Sequence, residues 1–108
     1  MAATPSPFAR RVLDAVDAIP SGHVLSYGDV AEYIGAGSAR GVGAVMARFG
    51  AEVPWHRVVM TDGRPAPGHE LRQLALLRAE GVPLRVPGDR VQMARARWDG
   101  GVVALRSS

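Results

Sequence analysis

The chain has 108 residues, 47% of them hydrophobic and 21% charged, a length that suits one domain burying about two-thirds of the surface of its unfolded chain. It is too apolar for disorder, no apolar run approaches the ~18 residues of a membrane span, and its start, MAATPSPFARRV, has no signal-like apolar stretch before the arginines. A cytoplasmic protein without a membrane partner is expected. The absence of cysteine excludes disulfides, thiolate catalysis, iron–sulfur clusters and cysteine zinc sites. The net charge is +3 and every basic residue is arginine; residues 1–39 sum to −2 and residues 40–108 to +5. Guanidinium grips phosphate bidentately and stacks, so this excess suits a polyanion without requiring one.

In chain order, Phe8, Val12, Leu13, Val16 and Ile19 follow Pro7 at helical spacing, with Ser6 as cap and Pro20 as stop. Ser21-Gly22 makes a turn and His23-Val24-Leu25 a short extended piece. Ser26 then caps a helix over Tyr27–Ile34 that Gly35 and Gly37 end. Ser38 caps a third helix, Ala39 to about Phe49, with Val42, Val45, Met46 and Phe49 on one face and Arg40 and Arg48 off it. Trp55–Met60 reads as a strand, Thr61-Asp62-Gly63-Arg64 as a hairpin-type turn and Pro65-Ala66-Pro67-Gly68 as a stiff loop. Leu71, Leu74 and Leu77 form the apolar stripe of a fourth helix ending at Glu80-Gly81. Beyond Pro83 lie short β-like pieces around Pro87-Gly88-Asp89, Val91-Gln92-Met93 and Val102–Leu105, with Trp98 as an aromatic plug. There is no internal repeat and no sign of a second domain.

Two helices flanking a glycine turn make Tyr27–Phe49 a helix-turn-helix candidate. The third helix is unusually bare: Ala39, Gly41, Gly43, Ala44 and Ala47 leave little side chain on it. Each interior glycine costs about 1 kcal/mol relative to alanine, so either a close partner or tight packing against another helix must use the space.

Pro54-Trp55-His56-Arg57-Val58-Val59 sets an indole, an imidazole and a guanidinium side by side. In a strand, Trp55 and Arg57 share one face, where the indole would line a pocket, while His56 faces the helices with Glu80 as its candidate partner. Taken singly, the ordinary role of such a Trp or His is core packing.

The stretches Ile19-Pro20-Ser21-Gly22-His23-Val24, Ser26-Tyr27-Gly28-Asp29-Val30-Ala31, Arg40-Gly41-Val42-Gly43-Ala44, Pro54-Trp55-His56-Arg57-Val58-Val59 and Glu80-Gly81 resemble, in order and spacing over about residues 8–83, the C-terminal DNA-binding domain of O6-alkylguanine-DNA alkyltransferases. That family's reactive motif is Pro-Cys-His-Arg-Val. Trp55 stands where the nucleophilic cysteine would be, as in the alkyltransferase-like proteins.

The resemblance implies a mainly α winged helix-turn-helix with a small β-hairpin wing. Such a domain binds the minor groove of double-stranded DNA containing O6-alkylguanine and turns the damaged base into a pocket. By match of position, Arg40 fills the space left by the base, Tyr27 presses on the target phosphate and lines the pocket, and Met46 is a pocket residue. Ala39, Gly41 and Gly43 are the bare helix surface of the DNA contact, to which Arg48 is added. Trp55 would wall the pocket, with His56 beside it and Arg64 on its rim. His56 and Glu80 match a proton relay that, without a thiol, survives as pocket support; Arg57 matches a structural arginine expected to tie the strand to the third helix. The Asn-Pro pair expected after that helix is replaced near Phe49-Gly50 and the wing loop is not glycine-rich; the companion N-terminal domain of many alkyltransferases is not expected here.

The reading is a non-enzymatic, monomeric damage sensor, with no cofactor or metal, that holds the lesion for the damage-recognition proteins of nucleotide excision repair. The alternative is a winged-helix transcription regulator. A hydrolase built on His56, or a nucleotide site at Gly35-Ala36-Gly37, finds no supporting spacing and no P-loop lysine.

Overall fold

Residues 4–101 are described in a computed structural model of the chain; the strand expected at 102–105 lies outside them. Helix α1 (Pro7–Ala18) starts where the Ser6 hydroxyl accepts the Ala9 N–H at 3.1 Å. Strand β1 (Leu25–Ser26) leads into α2 (Tyr27–Ile34), whose start is a reciprocal capping box. The Asp29 N–H donates to Ser26 Oγ at 3.0 Å and the Ser26 N–H to Asp29 Oδ2 at 2.9 Å. Gly35, at φ 70°, ends α2 in the left-handed region that glycine adopts without strain, and Ser38 caps α3 (Ala39–Phe49). The helix-turn-helix read from the sequence is present, and α1 packs across both of its helices.

The expected strand over Trp55–Met60 is shorter. Trp55–Arg57 forms a 3-10 turn, closed by the Arg57 N–H on the Pro54 carbonyl at 3.0 Å, and only Val58–Val59 (β2) is extended, pairing in parallel with β1. The turn has a consequence for side-chain direction. Neighbours in a 3-10 helix differ by about 120° instead of the ~180° of a strand, so His56 and Arg57 can reach one partner. The paired strands also divide the core. Leu25 and Val58 join a cluster with α1, α2, α3 and Trp98, whereas the adjoining Val24 and Val59 join a second cluster with Leu77, Val82, Val91 and Ala96.

Helix α4 (Glu70–Ala79) buries only part of the predicted leucine stripe: Leu77 is fully buried and Leu74 half-buried, but Leu71 is 87% exposed and Gln73 is fully buried in its stead. Gln73, Leu77 and Glu80 recur at i, i+4 and i+7, the true inward face. The Gln73 amide donates to the carbonyls of His56 (3.0 Å) and Val58 (2.8 Å), and its oxygen accepts the Ala66 N–H at 2.7 Å. One buried side chain thus holds the 3-10 turn, β2 and the proline loop together. Beyond Pro83, β3 (Leu84–Arg85) and β4 (Arg90–Val91) pair antiparallel, but Met93 opens a short helix α5 (Met93–Ala96) where a β-like piece was expected. The extension is built into the fold. The Val91 N–H donates to the Gly63 carbonyl at 2.8 Å, and a Cβ on Gly63 would lie 2.3 Å from the Val91 oxygen. Trp98, 6% exposed, plugs the first cluster as expected. No helix among the described residues is long and apolar enough to cross a membrane.

Glu80 completes the frame. Its carboxylate accepts the Gly22 N–H at 3.1 Å, His56 Nε2 at 2.7 Å, Arg57 Nε at 3.1 Å and the Arg57 terminal nitrogen at 2.8 Å, while the other Arg57 terminal nitrogen donates to the Ile19 carbonyl at 2.8 Å. Arg57 therefore ties the turn to the end of α1 and the end of α4, and not to α3 as its matched position implied. Partial burial raises the Glu80 carboxyl pKa, but hydrogen bonds from Arg57, His56 and Gly22 outweigh it and bring the value down to about 2.

Two outcomes follow for stability. A folded-state pKa below the unfolded one stabilises the protein above the ordinary carboxylate range and ceases to do so as protonation proceeds. Urea denaturation of the parent should therefore weaken by about 2 kcal/mol between pH 5 and pH 2, allowing for solvent at the edge of the cluster, and Glu80→Gln should flatten that slope. Gln73→Leu should cost about 3 kcal/mol in the same assay at pH 7, because it leaves two carbonyls and an N–H buried without partners; a loss below about 1 kcal/mol would contradict the bridging role.

Candidate nucleic-acid interface

The capping of α2 and α3 by serines places Tyr27 at the first position of one helix and Arg40 in the first turn of the next. Between them opens a cavity of about 310 Å³ lined by Tyr27, Ala39, Arg40, Gly43, Met60, Thr61 and Pro67, at the lower end of the size range of small-molecule sites. Tyr27 is half-buried and burial pushes its phenol pKa up, so it presents a neutral O–H donor. Arg40 is exposed. Space beside the helix is free where the bare residues stand: a Cβ on Gly43 would meet nothing within 4 Å.

The structure therefore brings Tyr27, Ala39, Arg40 and Gly43 together around one opening, with Gly41 on the same helix facing the Phe8 ring. Other predicted site residues stand apart from that lining. Met46 packs against the first core cluster and beside Gly50. Arg48 lies over the Phe49 ring at 5.4 Å, in a separate groove shared with Arg10, Asp14, Asp17 and Glu52. Arg64 pairs with Asp62 at 3.4 Å and lines an adjoining depression with Pro65, Glu70 and Leu74; Met60 and Pro67 are common to both hollows.

Trp55 sits on the 3-10 turn inside a small aromatic and cationic group. Its ring meets His56 edge-on at 6.1 Å and His69 at 5.5 Å, and the Arg72 guanidinium lies 5.7 Å from its centre. The expected pairing of His56 with Glu80 is present. A carboxylate can only accept, so the short contact fixes the proton on Nε2 and leaves Nδ1 as the other ring position. Arg57 and Glu80 lie behind this turn as support. Sequence reasoning missed His69 and Arg72, which flank Trp55 from the cap and the first turn of α4, and Met60, Thr61 and Pro67 in the cavity wall. A helix starting at Glu70 puts Arg72 in its first turn, a signal available from the sequence. The bend that returns Pro67 to Tyr27 had none. Among the described residues no cluster of side chains could hold a metal ion, and the chemistry available is stacking, hydrogen bonding and cation placement.

The sequence pattern of the family described as 6-O-methylguanine DNA methyltransferase, DNA binding domain, matches residues 7–82. The chain is 43% identical over 97 residues to the DNA base-flipping protein of Escherichia coli (strain K12), covering 85% of this chain and 74% of that one. It is 43% identical over 84 residues to alkyltransferase-like protein 1 of Schizosaccharomyces pombe, covering 71% and 78%. The crystal structure of S. pombe Atl1 in complex with damaged DNA containing O6-carboxymethylguanine superposes with a TM-score of 0.73 at 35% identity, over 85% of this chain and 94% of that one. The fold is thus the mainly helical DNA-binding domain expected from the sequence, and the chain belongs to the 6-O-methylguanine DNA methyltransferase DNA-binding family as an alkyltransferase-like member with no cysteine.

Proposed function

We propose that this protein recognises O6-alkylguanine in duplex DNA from the minor groove, turns the damaged base out of the stack, and holds the site for the damage-recognition proteins of nucleotide excision repair without removing the alkyl group. The carrying observation is an exposed Arg40 and a half-buried Tyr27 at the mouth of one cavity, in a chain without a thiol to accept an alkyl group. The names of its relatives, a DNA base-flipping protein and an alkyltransferase-like protein solved with damaged DNA, support the same reading.

In this account Ala39 and Gly43 let the duplex approach α3 closely, whereas the space at Gly41 is taken by Phe8 behind the helix, and Arg40 enters the stack where the base has left. A planar cation suits that position because it stacks and donates hydrogen bonds together. Tyr27 donates its hydroxyl to the phosphate of the target nucleotide. The base passes between Tyr27 and the Met60–Pro67 wall toward Trp55, with His56 and Arg64 completing the surroundings and Arg57 and Glu80 holding them, while Met46 stays packed on the core. Turning a base out costs a few kcal/mol; one base–aromatic stack returns about 1–3 kcal/mol, and the inserted guanidinium restores stacking in the duplex. Arg48 serves at most a flanking phosphate, since its groove also carries Asp14, Asp17 and Glu52. Indole carbon does not displace an alkyl group from oxygen under these conditions, so the complex works by residence time and shape. The protein acts as a monomer in the cytoplasm.

A regulator reading bases through α3 would need side chains that reach base edges, and Ala39, Gly41, Gly43 and Ala44 supply none. The test pairs a gel shift with fluorescence of a 2-aminopurine placed beside one O6-methylguanine. Arg40→Ala should abolish the fluorescence rise and weaken lesion binding at least about tenfold while leaving the melting temperature unchanged. Tyr27→Phe should lose less than Tyr27→Ala. Retained discrimination in Arg40→Ala would remove the insertion role, and equal losses at Tyr27 would mean that its ring contributes nothing.

A further inference from the structure

The extension after residue 82 lies outside the matched family pattern, yet it reaches the helix that carries Tyr27. Val24, just before β1, is held by residues on either side of Arg97: its N–H donates to the Ala96 carbonyl at 3.0 Å and its carbonyl accepts the Trp98 N–H at 2.9 Å. Trp98 is buried in the first core cluster, lies 5.2 Å from the Tyr33 ring of α2, and donates from its indole to the Gly101 carbonyl at 2.9 Å. The backbone of Arg97 is therefore fixed on both sides. From there its Nε meets Asp29 Oδ2 at 3.0 Å, the same oxygen that accepts the Ser26 N–H in the cap of α2.

We infer that Arg97 is a positioning residue for Tyr27: by clamping the Asp29 carboxylate it locks the Ser26–Asp29 capping box, and with it the first turn of α2, from which Tyr27 projects into the cavity. The inference rests on the proposed role of Tyr27 in base turning. An exposed ion pair is ordinarily worth little because two long side chains must be ordered to form it. Here much of that ordering is already done. Asp29 is held by the cap, with 22% of its side chain exposed, and Arg97 starts from a backbone pinned by Val24 and the buried Trp98. The clamp also has an electrostatic side. Asp29 stands two residues from the tyrosine that meets a phosphate, and Arg97 offsets the negative charge there.

The test is a double-mutant cycle on the full chain with a duplex carrying one O6-methylguanine. Arg97→Ala should weaken binding about fivefold, the scale of one capping interaction, when Tyr27 is present, and by less than about twofold in the Tyr27→Ala background. Arg97→Lys should recover part of the loss, because it restores the charge without the planar Nε contact. Equal losses in both backgrounds would make Arg97 an independent phosphate contact and overturn the inference, as would no loss at all. Amide exchange without DNA separates the clamp from the function. Faster exchange at Ser26 and Asp29 in Arg97→Ala supports the clamp even if the parent does not discriminate the lesion, and unchanged exchange overturns it.

Discussion

The carboxylate of Glu80 is the point from which the rest of the structure is organised. It gathers the turn after α1 through Gly22, the 3-10 turn through His56 and Arg57, and the end of α4 on which it sits. A carboxylate placed here without these donors would be driven toward the neutral form by burial; with them it stays ionised well below the usual range. The cluster therefore holds only as a set, and it orients the turn on which Trp55 stands. Gln73 does the same for the next step along the chain, joining β2 to the loop that brings Pro67 to the cavity.

The front of the molecule is built on a different economy. Side chains on α3 are small, its glycines weaken the helix, and the compensation comes from α1 packing behind it, with Phe8 filling the space at Gly37 and Gly41. What is left in front is an open surface with one long cation and one tyrosine at its edge. That division suits a protein acting by shape. The frame behind is held by hydrogen-bonded polar groups that are buried, as Gln73 is, or mostly so, as His56, Arg57 and Glu80 are, and the surface in front is sparse. His56 and Glu80, which the resemblance matches to a proton relay, here staple the 3-10 turn to the end of α4.

Much of this was legible in the sequence, because it depends on local chemistry. Ser6, Ser26 and Ser38 announce three helix starts, and Gly35 marks an end, through hydrogen bonds made within a few residues. The motifs around Tyr27, Arg40 and Trp55 indicated the family, and the first two meet at the mouth of one cavity. What failed depended on distant partners. Trp55–Met60 has the composition of a strand, but Glu80 needs His56 and Arg57 on one side, and the chain takes a 3-10 turn over Trp55–Arg57. Leu71 fits an apolar stripe by spacing, yet the buried position goes to Gln73, since only an amide can satisfy the carbonyls and the N–H that converge behind the turn. The anchoring of Arg57 on Ile19 and the docking of residues 96–98 against Val24 involve long sequence separations that periodicity does not register.

The central claim is recognition of the lesion without transfer. It is tested most directly by titrating the pure protein, in moderate salt, against two duplexes identical except for one O6-methylguanine, then recovering protein and DNA for mass analysis. The account predicts tighter binding to the damaged duplex, with every methyl group still on the DNA and the protein mass unchanged. A methylated protein or restored guanine would contradict the absence of transfer, and equal binding to both duplexes would contradict recognition itself.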